Sequence, residues 1–107
     1  MEVDALLVYD VRSQPGVCVI AFTGEIDNLN AIFFAEALAE PTAARVDVNL
    51  SAVTLLDSSG LHALVAAQRN IAHRNGKMRV VAASPCVRSV IEHFGLSEQL
   101  LDVSGAA

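Results

Sequence analysis

The sequence predicts an α/β fold: a mixed, mostly parallel β-sheet that opens on an antiparallel hairpin and carries helices packed on it. Three observations lead there. Two apolar runs, Ala5 to Val11 and Val17 to Thr23, are separated by Ser13-Gln14-Pro15-Gly16, whose Pro-Gly pair favours a tight turn. Beyond them, segments of period near 3.6 alternate with segments of period two, which places a helix between successive strands. Strands separated by helices pair most easily in parallel through right-handed crossovers, whereas hairpin strands are antiparallel. Finally, 107 residues with 53% hydrophobic content suffice for one core and not for two, so residues 1–107 are read as one domain.

Each element has its own local reason. Val17 to Thr23 is β-branched and aromatic, and too short and unbroken for a surface helix. Gly24-Glu25-Ile26-Asp27-Asn28 breaks that strand, and Asp27 or Asn28 is placed to cap a helix through Ile32, Phe33, Phe34, Ala37 and Leu38, ending at Pro41. One ring of the Phe33-Phe34 pair is expected in the core, which leaves the other for an interface. Val46, Val48 and Leu50 alternate with Asp47 and Asn49, the signature of a half-buried strand. A second helix starts at Asp57-Ser58-Ser59-Gly60, with Leu61, Leu64, Val65, Ile71 and Ala72 on one side, and ends in basic residues before Asn75-Gly76.

Met78 to Ala82 reads as the next strand. Ser84 then caps a third helix with Pro85 in its first turn, and its apolar stripe is Val87, Val90, Ile91 and Phe94, stopped by Gly95. A last apolar piece, Leu100 to Val103, is a strand or a helical turn, and the small-residue end, 104–107, is expected to be disordered. The order is β-β-α-β-α-β-α. Helices that are apolar on one stripe cover one face of the sheet, and the pattern does not fix how the other face is covered.

Composition excludes several functions. A net charge of -5 with seven Lys plus Arg lacks the clustered positive charge that phosphate backbones require, so direct DNA binding is not expected. The longest apolar runs, such as Val17 to Phe22, fall far short of the ~20 residues that span a bilayer. Met1-Glu2-Val3-Asp4 carries acid where a secretory signal carries base, which points to the cytoplasm. Cys18 and Cys86 form no C-x-x-C pair and read as free, buried thiols. His62 and His73 lie three turns apart on one helix, too far to share a metal, and His93 reads as a solvated surface residue.

The junction Leu55-Leu56-Asp57-Ser58-Ser59-Gly60-Leu61 concentrates what chemistry there is. Ser58 and Ser59 stand at a helix N-terminus, where unpaired amides and the positive dipole end favour a phosphate or another anion. The alternative is purely structural: Asp57 or Ser58 as N-cap and Gly60 as a packing glycine rather than a point of close approach for a partner. No Gly-x-Ser-x-Gly elbow occurs, and Ser58 has no base, because His62 shares its helix. P-loop and dinucleotide spacings are also missing, so neither an enzyme nor a bound cofactor is expected.

Thr23-Gly24-Glu25-Ile26-Asp27 and Asp57-Ser58-Ser59-Gly60-Leu61, in this element order, resemble the STAS domain, and in particular the anti-sigma factor antagonists, over nearly the whole chain. The resemblance implies a phosphoprotein that regulates transcription by partner switching. Its serine after the motif aspartate, here Ser58 with Ser59 as second candidate, is phosphorylated by a partner that is both anti-sigma factor and serine kinase. The unphosphorylated form binds that partner and frees sigma, and a PP2C-type phosphatase restores it. Asp27, Asp57, Ser58, Ser59, Gly60 and Leu61 are the implied partner-binding residues. A STAS adaptor of a membrane transporter or lipid-export ABC complex, docked through the apolar first helix, is the competing reading, and that helix also leaves an oligomer open.

Overall fold

The computed structural model describes residues 7–102. The elements run β1 (Leu7–Gln14), β2 (Val17–Ile26), α1 (Ala31–Ala39), β3 (Arg45–Leu56), α2 (Ser58–His73), β4 (Lys77–Ala83), α3 (Pro85–His93) and α4 (Ser97–Leu100). The sheet order is β1-β2-β3-β4, with β1 antiparallel to β2 and the remaining pairs parallel. Each crossover therefore advances one strand in the same direction. Right-handed connections taken in one direction put their helices on one side of the sheet. The core lies in that layer: Ile20, Phe22, Val48 and Leu50 from the strands meet Phe34, Leu38, Leu64 and Ile91 from the helices, all fully buried. The opposite face carries Asp10, Arg12, Arg45 and Asp47, so it faces water and needs no second layer.

The alternation legible in β3 stops at Leu50, yet the strand continues to Leu56. Against β2, β3 gains an extra residue between the pairs Ala21↔Asn49 and Thr23↔Ala52, and another between Gly24↔Val53 and Glu25↔Leu55. The buried positions thus pass from 46, 48 and 50 to 53 and 56, a spacing of three. The Asn49 side chain marks the first irregularity by accepting hydrogen bonds from the Ser51 amide (2.9 Å) and hydroxyl (2.7 Å). Gly24, at φ 127, sits beside the second, a conformation that side chains rarely adopt.

Several expectations are corrected. The first helix begins at Ala31, with neither Asp27 nor Asn28 as its cap. Phe34 is buried and Phe33 half-exposed, as the pair suggested, but Phe94 at the end of α3 is 54% exposed. The α3 stripe ends one turn early because Phe94 is already past the last helical residue. Ala72 likewise faces solvent. Cys18 is buried, whereas Cys86, in the first turn of α3, is exposed. The piece from Leu100 combines both readings: α4 ends at Leu100, and Leu101 forms a parallel bridge to Val80. Val103, the 104–107 end and the first residues of the Ala5 run lie outside the described residues.

Two side chains test how tightly the layers are joined. Ser84 accepts the Val87 amide (3.2 Å) while donating its hydroxyl to the Val53 carbonyl (2.6 Å), so Ser84→Ala is expected to lower stability by about 1–2 kcal/mol in urea denaturation. A Cβ on Gly60 would stand 2.6 Å from Ile26 Cγ2 and 2.6 Å from Leu56 Cδ1. Leu56 can rotate away, but the β-branched Ile26 cannot without disturbing the core. Gly60→Ala should therefore cost about 1–2 kcal/mol net in the same measurement, overpacking outweighing the better helix propensity.

Candidate functional site

The two sequence motifs meet at one end of the sheet, where the neighbouring parallel strands β2 and β3 finish. The Asp57 amide donates to the Ile26 carbonyl (3.1 Å), fixing one exit against the other. Asp57 is extended (φ -100, ψ -176) and is the N-cap of α2: its Oδ1 accepts the Gly60 amide (3.1 Å), and its carbonyl accepts the Leu61 amide (3.0 Å). Ser58 and Ser59 then occupy the first two helical positions. In an α-helix the amides there have no intrahelical partner, so they and the dipole present partial positive charge at this point.

Asp27 organises the other exit. Its Oδ1 accepts the amides of Leu29 (3.0 Å) and Asn30 (3.3 Å), and the Asn30 Oδ1 accepts the Asp27 amide (3.0 Å) in return. Asn30 also donates its side-chain amide to the Glu25 carbonyl (2.8 Å). The Asp27 carboxylate thus closes a turn ahead of α1 rather than capping the helix itself. Short polar side chains do this readily because they reach the backbone two and three residues on.

Among the implied partner-binding residues, Ser58 is exposed, and Ser59, Asp27 and Asp57 are partly so. Gly60 and Leu61 are buried. The close approach that Gly60 permits is internal, to Ile26 and Leu56, and Leu61 belongs to the core, so both shape the site from beneath. The apolar excess of the first helix region leaves open a partner surface or a tight core, and the structure divides it: Leu29 is 88% exposed and Ile32 74%, with Leu55 near the end of β3 half-exposed, whereas Phe34 and Leu38 are buried. What the composition does not single out is Leu29, set between two asparagines ahead of the helix.

Among the described residues no side chain is hydrogen-bonded to Ser58, and no cluster of three or more His, Cys, Asp or Glu could hold a metal ion. Among the same residues no helix is long and apolar enough to cross a membrane.

Comparison with known proteins agrees with this geometry. Residues 9–105 match the STAS domain model. RsfB of Mycobacterium tuberculosis, an anti-sigma-F factor antagonist, is 38% identical over 93 residues, which cover 82% of this chain and 74% of RsfB. The crystal structure of an anti-sigma factor antagonist from Mycobacterium paratuberculosis has a TM-score of 0.78 at 28% identity, covering 89% of this chain and 83% of that one. The phosphorylated form of SpoIIAA from Bacillus shares the fold, with a TM-score of 0.64 at 20% identity over 89% of this chain and 90% of its own. The family match over residues 9–105 and the 38% identity to RsfB agree with the fold, and the chain belongs to the STAS domain family.

Proposed function

We propose that this protein is an anti-sigma factor antagonist, controlled by phosphorylation of Ser58 and without catalysis of its own. The observation that carries the reading is the exposed Ser58 hydroxyl at the first position of α2, in a chain related to RsfB. A kinase must reach that hydroxyl and leave the fold intact, and an exposed side chain at a helix start meets both demands. In this reading the unphosphorylated protein binds an anti-sigma factor that is also a serine kinase, and the bound sigma factor is released. The Ser58 hydroxyl oxygen attacks the γ-phosphorus of ATP, the bond to the bridging oxygen breaks, ADP leaves, and the proton passes to a base on the kinase. A PP2C-type phosphatase hydrolyses the ester and restores the antagonist in the cytoplasm. An adaptor role beside a membrane transporter is not favoured, because RsfB and the Mycobacterium paratuberculosis protein, both above 25% identity, are antagonists.

The physical effect of the phosphate falls on the partner. It adds about -1.5 to -2 charge beside Asp57 and Asp27, at a helix end whose amides favour an anion. A partner surface matched to a neutral hydroxyl meets new charge and bulk instead. A penalty of roughly 3 kcal/mol is enough to weaken binding about a hundredfold. Leu29 and Ile32 supply apolar area beside the switch, so affinity and control rest on different residues.

Incubation with the cognate kinase and ATP, followed by peptide mass spectrometry, should place one phosphate on Ser58; phosphate only elsewhere would overturn the assignment. In pull-down with the anti-sigma factor, Ser58→Ala should bind in the presence of ATP, and Ser58→Asp should lose binding by at least about tenfold. Both should keep wild-type stability within about 0.5 kcal/mol, since the side chain is exposed. Asp57→Asn provides a separate test of the aspartate. Asn caps a helix as well as Asp does, so stability should hold within about 0.5 kcal/mol while phosphorylation slows, read as initial rate against kinase concentration.

A further inference from the structure

The two edges of the sheet are treated differently. At the β4 edge, Leu101 bridges to Val80, the Asp102 amide donates to the Val80 carbonyl (3.0 Å), and Arg79 ties back to the Leu101 carbonyl (2.8 Å). At the other edge, β1 runs for eight residues beside β2 without a bulge, and among the described residues nothing pairs with its outer side. α1 covers it only at Tyr9, whose ring packs on Phe33 (centroids 5.7 Å), and beyond that contact a groove of about 560 Å³ runs along its helix-side flank, lined by Tyr9, Val11, Cys18 and Pro41 among others. Val8 and Val11 are exposed and Tyr9 nearly 40% so. A long, straight, uncovered edge is a template for another strand.

We infer that β1 pairs with β1 of a second copy of this chain, antiparallel and centred on Val11, to give a two-fold symmetric dimer with one continuous sheet. The hydrogen-bonding pattern restricts the register. The two-residue Pro15-Gly16 turn makes Gln14↔Val17 a pair that exchanges both backbone bonds, and the alternation along an antiparallel ladder assigns Arg12, Asp10 and Val8 the same inward role. Tyr9, Val11 and Ser13 are left with N–H and C=O groups pointing outward. A two-fold axis at Val11 matches Val11 with its copy and Tyr9 with Ser13 of the copy, each exchanging backbone bonds.

Charge then selects among the remaining registers. Centring on Val11 sets Asp10 of each chain opposite Arg12 of the other, in the closely spaced, non-hydrogen-bonded position where cross-strand side chains interact most. Within one chain these side chains are 3.4 Å apart and largely exposed, so they are available to a copy. An axis at Asp10 would oppose Asp10 to itself, and one at Arg12 would oppose Arg12 to itself. Axes at Tyr9 or Ser13 shorten the overlap. A strand guarded against self-pairing carries charge of one sign; opposite charges two residues apart are instead complementary to their own antiparallel copy. On the helix side the two grooves meet across the axis, where Tyr9 and Val11 of both chains shed water. Because β1 and its copy run antiparallel, the two Ser58 ends point in opposite directions and neither is covered, which makes the inference independent of the phosphorylation reading.

Edge pairing alone buries less than the ~1,200–2,000 Å² of a standard interface, so a dissociation constant between roughly 10 µM and 1 mM is expected. The test is sedimentation equilibrium of the full chain across that range. Arg12→Asp and Asp10→Arg should each weaken self-association at least tenfold. Mixed together they should form a heterodimer, because every cross-strand pair is then opposite in charge. Val11→Pro removes an outward N–H that β2 does not use, so it should keep the far-UV circular dichroism of the wild type and abolish association. A wild type that is monomeric at about 1 mM, single variants that dimerise like the wild type, or a mixture that yields no heterodimer would each overturn the inference.

Discussion

The site depends on how closely α2 can start above the ends of two parallel strands. Gly60 is the third residue of that helix, and its α-carbon lies so near Ile26 and Leu56 that no side chain fits between them. The Asp57 amide closes the same joint from the backbone by bonding to the Ile26 carbonyl. Parallel strands joined by helices bring their carboxyl ends to one edge of the fold, but only a close helix start keeps the following loops short. Here the β3 exit is a single residue, Asp57, so Ser58 inherits the rigidity of the core beneath it.

The partly exposed carboxylates around that serine are not interchangeable. Asp57 holds Gly60 and so fixes the helix start, whereas Asp27 holds Leu29 and Asn30 and fixes the turn that displays Leu29. Each uses backbone amides rather than a cationic side chain. Their negative charge is therefore not neutralised by an ion pair among the described interactions, and a third anionic group added at Ser58 meets it directly. Under the proposed phosphorylation the fold would keep such a group in water, because Ser58 is exposed and the helix end supplies partial positive charge. In the proposed switch the cost falls on whatever surface lies opposite, so the domain needs no second conformation of its own.

Most of the fold was legible because its signals are local. Pro15-Gly16, Ser84-Pro85 and the helix start at Asp57 each state their geometry within a few residues, and the structure places turns, caps and strands there. Errors arose where the outcome depends on rotation about a helix or on strand register. Cys86 and Phe94 are apolar, yet they sit at the two ends of α3, beyond the part of its stripe that meets the sheet. The irregular register in β3 hid the strand beyond Leu50, because two extra residues shift the buried positions out of alternation. At the site the same division holds. The aspartates and serines are readable as motif residues, but that Gly60 and Leu61 face inward while Leu29 and Ile32 face outward is decided by packing between α1, α2 and the strand ends.

Packing also explains why the interior and the periphery follow different rules. Among the described residues no polar or charged residue is buried, so the core needs no internal ion pair to specify it. The two proposals place specificity at the ends and edges of the sheet, where backbone groups and charges remain in water: the Asp27 turn and Ser58 at one end, Asp10 and Arg12 along β1. These regions lie on different elements and share no hydrogen bond, so changes at one should act almost additively with changes at the other. A domain built this way can alter what it binds by changing a few surface residues, while the joint at Gly60 keeps the strand ends in place.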